Sequence, residues 1–151
     1  MGNTSNTSSP ETGLLDWRLI FACWLLAAVS MLGSLFFSEI MGLQPCVLCW
    51  YQRIAMYPLV VILLVGMFPL DLRVVRYALP LALIGWGIGV YHYLVFSGYI
   101  PESLRPCDEG GVSCSEINLE LFGFITIPMM SILAFTAIIV MLVFVKKRNR
   151  P

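Results

Sequence analysis

The chain has 151 residues, of which 59% are hydrophobic and 12% charged, and its formal net charge is zero. A chain this apolar differs from ordinary soluble domains, and a balanced charge offers no basic surface to nucleic acid. Composition therefore favours a protein embedded in the lipid bilayer and predicts no nucleic-acid partner.

Four uncharged stretches are long enough to cross a membrane. They cover residues 19–37, 46–70, 77–100 and 121–145, and Arg53 alone interrupts them. A helix needs about 20 apolar residues to span a hydrocarbon core of about 30 Å. None of the stretches has a polar face of useful width, as a soluble amphipathic helix would. The sequence predicts an all-α membrane protein, a bundle of four transmembrane helices with short outer loops.

The stretches predict one transmembrane domain, residues 17–145, between two tails. Residues 1–16, MGNTSNTSSPETGLLD, are rich in Ser, Thr and Asn and are predicted to form a disordered cytoplasmic tail. This segment lacks the basic region of a secretory signal, so no cleavable signal peptide is expected. Residues 146–151 are predicted to form a basic cytoplasmic tail.

The placement of lysine and arginine predicts the orientation of the chain. If the amino terminus is cytoplasmic, the inner side carries Arg18, Arg73, Arg76, Lys146, Lys147, Arg148 and Arg150. The outer side then carries only Arg53 and Arg105. Both termini are therefore predicted to be cytoplasmic, in a multi-pass protein of the plasma membrane.

Four of the five cysteines fall on the predicted extracytoplasmic side. Cys46 and Cys49 form a C-x-x-C pair at the outer end of the second helix, and Cys107 and Cys114 lie in the longest outer loop. Two structural disulfides, or one zinc ion held by four thiolates, would explain them without catalysis. The C-x6-C spacing is a loose zinc motif, so no metal site is predicted. Cys23, inside the first helix, is expected to behave as a small hydrophobe.

The C-x-x-C pair lies where a thiolate would be stabilised. It follows Pro45 at the beginning of a helix, whose first turn offers unpaired amide donors and a positive dipole end. Arg53 lies four residues after Cys49 on the same helix face. Because C-x-x-C disulfides also tend to be labile, the pair is a candidate redox site.

Two further residues point to an electron acceptor inside the membrane. Arg53 lies within an apolar run, where it snorkels to the interface or needs a polar partner. Gly85, Gly89 and His92 share one face of the third helix, which places the only histidine near the depth of Arg53. Two exchanging cysteine pairs beside them would form an electron relay. A lipid-soluble quinone is the predicted acceptor, with Arg53 and His92 as candidate ligands.

Several segments together resemble a known family. They are PCVLCWYQR, YH near the end of the third helix, PC…GVSC in the outer loop, and LFGFITIP at the beginning of the fourth helix. These segments resemble disulfide bond formation protein B, in the small BdbC-type branch of Gram-positive bacteria. The resemblance covers residues 19–145, nearly the whole chain outside its tails.

The resemblance implies a quinone-dependent protein dithiol oxidoreductase that supports disulfide formation in secreted proteins. Its partner would be a secreted or membrane-anchored thioredoxin-fold oxidase of the DsbA/BdbD type, and its cofactor menaquinone or ubiquinone from the membrane pool. By similarity, the partner attacks the Cys107–Cys114 disulfide at Cys107. Cys114 then passes the electrons to Cys46, and Cys49 reduces the quinone. Arg53 matches the quinone-site arginine of the family, and His92 matches its histidine near the ring.

Other interpretations stay open at this level. A vitamin K epoxide reductase-like protein combines the same parts, but its loop pair precedes its C-x-x-C pair, which is the reverse of the order here. A non-catalytic membrane assembly protein with disulfide-stapled loops would need no turnover. A thiol-based metal carrier would need thiolates on both membrane faces, and only Cys23 could serve the inner one.

Overall fold

The computed structural model describes residues 10–42, 45–100 and 126–149, and every regular element in them is helical. Helix α1 runs over Pro10–Leu35 and continues as a π-helical turn, Phe36–Ile40. Helices α2, α3 and α4 cover Val47–Met67, Val74–Phe96 and Ile127–Arg148. Four helices in these ranges are long and apolar enough to cross a membrane. The predicted all-α, four-helix membrane fold is confirmed.

The residues at the beginnings of α2 and α4 explain why these helices begin where they do, and α1 begins earlier than predicted. Cys46 is extended and caps α2, since its Sγ accepts the backbone N–H of Cys49 at 3.4 Å. Thr126 is extended before α4, and Pro128 occupies the first turn, where its missing N–H costs nothing. Helix α1 begins at Pro10, so residues 10–16, which were predicted to belong to a disordered tail, are helical.

Helices α2 and α3 are each followed by a residue that disfavours a further helical turn. Helix α2 ends at Met67, and Pro69 follows two residues later without an N–H to donate. Helix α3 ends at Phe96, and Gly98 adopts a left-handed φ of 75°. That conformation suits glycine because it has no Cβ to clash.

The four helices form a closed ring in which α1 packs on α2, α2 on α3, α3 on α4, and α4 back on α1. Small side chains on α1 and α3, including Ala27, Ala78 and Ala82, let the helices approach. Large side chains such as Leu59, Leu63 and Phe135 fill the interior between them. Outward-facing positions are also apolar, for example Val29 and Val61, as expected of a surface in contact with lipid.

A polar clamp ties the beginning of α1 to the end of α4. Asp16, only 2% exposed, accepts a hydrogen bond from the Asn149 side-chain amide at 2.8 Å. The other carboxylate oxygen of Asp16 lies 3.1 Å from the Arg148 guanidinium. The first and last helices are thereby joined at one end of the bundle.

The glycine face of α3 packs against α4. A Cβ built on Gly85 would overlap the ring of Phe135, so the close approach of the two helices depends on this glycine. Gly87, two residues later, is exposed and has no atom within 4 Å of such a Cβ. The two glycines therefore form a matched pair, one buried in a helix contact and one facing lipid.

Gly85→Ala is expected to destabilise the bundle and Gly87→Ala is not. Alanine at an open helix site removes a glycine penalty of about 1 kcal/mol. Overpacking at Gly85 should outweigh that gain by costing about 1–3 kcal/mol. Thermal unfolding of both variants in the same detergent checks the difference, and equal midpoints would contradict the packing role of Gly85.

Candidate active site

The predicted redox pair lies at the beginning of α2 and faces α3. Cys46 is buried and Cys49 partly buried, and both pack against Val95 near the end of α3. Cys107 and Cys114, the predicted loop pair, lie outside the described residues. The structure therefore shows one half of the predicted relay, Cys46 and Cys49, in its protein surroundings.

Hydrogen-bond donors converge on the sulfur of Cys46. The two Sγ atoms lie 2.9 Å apart, and the Cys49 N–H also points at Cys46 Sγ. Cys46 precedes the membrane-spanning segment of α2. The Cys49 thiol, and after it the His92 imidazole, lower the pKa of Cys46 below its ordinary value, although burial opposes them. The helix beginning therefore favours a thiolate at Cys46, whereas the sequence argument placed it at Cys49.

His92 joins the cysteine pair to a residue that the sequence analysis did not single out. The His92 ring, 2% exposed, has Nε2 3.7 Å from Cys46 Sγ and Nδ1 3.2 Å from Nε2 of Gln52. An amide N–H from Gln52 to Nδ1 leaves the ring proton on Nε2, which then faces the sulfur. His92 is thus buried within the bundle, and its ring nitrogens contact Cys46 and Gln52.

Gly89 makes room for this arrangement. A Cβ at Gly89 would lie 3.3 Å from Ile132, 3.4 Å from Ser131 Oγ and 3.9 Å from the Gln52 amide nitrogen. Gly89 therefore lets Ile132 of α4 approach α3 on the face that carries His92, whereas Gln52 would be in ordinary contact with such a Cβ. The shared face of Gly85, Gly89 and His92 serves helix packing and also positions the histidine.

Arg53 is held by α1. The guanidinium donates from Nε to Ser34 Oγ and from an Nη to the Ser34 carbonyl, both at 2.7 Å. It also lies over the ring of Trp50, 5.7 Å from the ring centre. With 9% of its surface exposed, Arg53 does not snorkel freely into the interface. The sequence analysis anticipated a polar partner but did not identify Ser34, which lies just before the π-helical turn.

Three donor atoms in this region satisfy the distance requirement for one metal ion. The sulfurs of Cys46 and Cys49 and a ring nitrogen of His92 all lie within 4.8 Å of one another. Within the described ranges, no other group of three or more His, Cys, Asp or Glu residues meets this requirement. The same residues that suit thiol exchange thus also form a soft ligand set.

Comparison with known proteins matches the sequence to one family. The family model "Disulfide bond formation protein DsbB" matches residues 17–145. The chain belongs to the DsbB family. This confirms the resemblance inferred from the motifs and the membrane disulfide-forming role that it implied. It also decides against a non-catalytic assembly protein.

Individual relatives of the DsbB family cover most of the chain. The chain is 48% identical over 132 residues to "Disulfide bond formation protein C" of Bacillus subtilis, covering 84% of this chain and 91% of that protein. It is 41% identical over 143 residues to "Probable disulfide formation protein" of Metapseudomonas resinovorans, covering 95% and 99%. No solved structure matches the chain.

Ser34→Ala is expected to destabilise the bundle because Arg53 loses a hydrogen-bond partner. The substitution removes the acceptor of the Arg53 Nε–H and leaves a buried charged donor unpaired, which costs about 1–3 kcal/mol. Ser30→Ala is the matched control, because the Ser30 hydroxyl bonds only the carbonyl of Leu26 in its own helix. Unfolding midpoints of the two variants in detergent check this, and equal shifts would count against the Arg53–Ser34 bond.

Proposed function

We propose that this protein passes electrons from an extracytoplasmic dithiol oxidase to a membrane quinone. The observation that carries the proposal is the buried Cys46–Cys49 pair at the beginning of a membrane-spanning helix, with Arg53 one turn further into the membrane. Membership of the DsbB family supports disulfide formation as the outcome. The partner, the quinone and the order of the steps are part of the proposal.

The proposed relay begins at the loop pair. A thiolate of a thioredoxin-fold partner attacks the Cys107–Cys114 disulfide at Cys107, which forms a mixed disulfide and releases the Cys114 thiolate. The second thiol of the partner then attacks the mixed disulfide and displaces Cys107, so the partner leaves with its own disulfide. The Cys114 thiolate then attacks the Cys46–Cys49 disulfide at Cys46, and Cys107 resolves the resulting bond. Two electrons thereby reach the Cys46–Cys49 dithiol, and both the loop disulfide and the partner disulfide are restored.

His92 and Gln52 support the exchange at Cys46. The Nε2–H of His92 stabilises negative charge on Cys46 Sγ when this sulfur becomes a thiolate. The bond from Gln52 to Nδ1 fixes that ring orientation. A direct contact of His92 with the quinone stays a prediction.

The residues around Arg53 suit a quinone carbonyl. A bound quinone, menaquinone or ubiquinone, would supply an acceptor for two electrons and two protons in the bilayer. Arg53 bonds Ser34 through Nε and one Nη, and these bonds do not use its other terminal nitrogen. The guanidinium is thus fixed in place and largely shielded from water, and its bonds within the described ranges leave N–H groups to donate. We propose that Arg53 donates a hydrogen bond to one carbonyl oxygen of the quinone, the one nearer to Cys49.

The proposed orientation places these steps outside the cytoplasm. The excess of Lys and Arg near the junction of α2 and α3 and at the end of α4 supports cytoplasmic termini. The Cys46–Cys49 pair, at the opposite end of α2, would then lie at the extracytoplasmic face of the plasma membrane, on the same side as the partner.

The relay predicts that quinone reduction needs both cysteine pairs. In nanodiscs loaded with quinone, a reduced thioredoxin-fold partner should bleach quinone absorbance with the wild type, whereas Cys49→Ser and Cys114→Ser should abolish the bleaching. Cys23→Ala is the control, because Cys23 is buried between α1 and α4 and should leave the rate unchanged. In right-side-out membrane vesicles, reduced partner added to the outer medium should also cause the bleaching. Bleaching by Cys114→Ser would contradict the order of the relay.

Arg53→Ala is expected to weaken quinone use while partner exchange stays intact. Loss of a charged hydrogen bond of about 1.5–3 kcal/mol corresponds to roughly a tenfold to hundredfold higher quinone KM. Arg76→Ala, at an exposed position, has the same change in charge and should behave as wild type. Formation of the mixed disulfide with the partner measures exchange separately. An unchanged quinone KM would remove Arg53 from the quinone site.

A further inference from the structure

The cluster of Cys46, Cys49 and His92 has a capability that disulfide exchange does not require. Two thiols and one imidazole from adjacent helices lie with all ligand atoms within 4.8 Å, at a largely buried position. Two sulfurs and one nitrogen are the ligands that zinc accepts in three-ligand protein sites with an open fourth position. The same three atoms can therefore converge on one cation when the cysteines are reduced.

The distances fit a tetrahedral ion after a small adjustment. Bonds of about 2.3 Å to sulfur and about 2.0–2.1 Å to nitrogen place tetrahedral ligands roughly 3.5–3.8 Å apart. The Cys46 Sγ to His92 Nε2 distance, 3.7 Å, already has this value. The two sulfurs, 2.9 Å apart, must separate by about 1 Å. Rotation of the Cys49 side chain in the first turn of α2 can supply that movement.

Gln52 completes the site as the partner of the second ring nitrogen. Histidines that bind metals almost always donate their other N–H to a fixed acceptor. Gln52 contacts Nδ1 of His92 at 3.2 Å. Its amide presents either oxygen or nitrogen on rotation, so it can accept the Nδ1–H that a metal on Nε2 requires. Gln52 is therefore a positioning residue for both functions of His92.

The net charge of the complex and the redox state of the two cysteines determine which ion the site can bind and when it can bind it. A divalent cation with two thiolates and a neutral imidazole forms a neutral complex, and a buried site penalises net charge. In the disulfide form the sulfurs have no thiolate to offer, so binding is confined to the reduced form. We propose that reduced Cys46, Cys49 and His92 bind one divalent d10 cation, Zn²⁺ in the simplest case. The cation displaces the two thiol protons into solvent, holds the pair in the reduced, dithiolate form and stops its reoxidation.

The test is a Zn²⁺ titration without quinone or partner, so its result does not depend on the proposed electron acceptor. The parent is Cys107→Ser/Cys114→Ser in nanodiscs, which removes competing loop thiols. Zn²⁺ is competed against a chromophoric chelator, with the parent either reduced by a phosphine or oxidised. One equivalent should bind to the reduced form and none to the oxidised form. Cys23→Ala, added to the parent, is the control and should leave the affinity unchanged.

Variants of His92 and of its partner Gln52 distinguish a specific metal site from nonspecific binding of the ion. Gln52→Ala should lower the affinity about 10-fold, and His92→Ala by more than that. Visible absorption of bound Co²⁺ reports the ligands independently of affinity and should change in His92→Ala. Zn²⁺ affinity and Co²⁺ bands that are equal in His92→Ala and the parent would overturn the proposal and indicate an adventitious ion only. Binding to the oxidised parent would also overturn it.

Discussion

The rest of the structure depends on one constraint: inside a bilayer, a polar side chain must find its partner within the protein. Arg53 meets it through Ser34 on α1, and Gln52 through His92 on α3. Both polar residues come from the same turn of α2, so that turn is fixed to its two neighbours at once. Hydrophobic packing brings the helices together, and these bonds determine which faces meet.

The constraint also explains the local environment of the cysteines. Cys46 caps α2, and its sulfur accepts the backbone N–H of Cys49 and faces His92. His92 is hydrogen-bonded to Gln52, the residue that precedes Arg53 in α2. The same turn of α2 therefore orients both the arginine and the histidine. The proposed redox pair is thus supported by helical elements, an arrangement that would suit repeated cleavage and re-formation of one disulfide.

Much of this could be predicted from the sequence, and the omissions have a common cause. Apolar length alone predicts four helices, because the bilayer fixes the length of a span. Helix α3 begins at Val74, before the predicted residue 77, because Arg76 at a span end can face water and does not terminate a helix. Helical spacing placed Gly85, Gly89 and His92 on one face. It could not identify Ser34 or the Gln52–His92 bond, because those contacts join different helices across 19 and 40 residues.

The bond between Arg53 and Ser34 has a consequence for how the chain enters the membrane. An arginine inside a helix opposes insertion by about 2.5–3.5 kcal/mol on translocon scales. Helix α1 is synthesised before α2, so Ser34 precedes Arg53 into the bilayer. The acceptor of Arg53 therefore lies on a helix that has been synthesised before the second span. The energetic cost of an arginine within the second span is thus offset by a partner on the first helix.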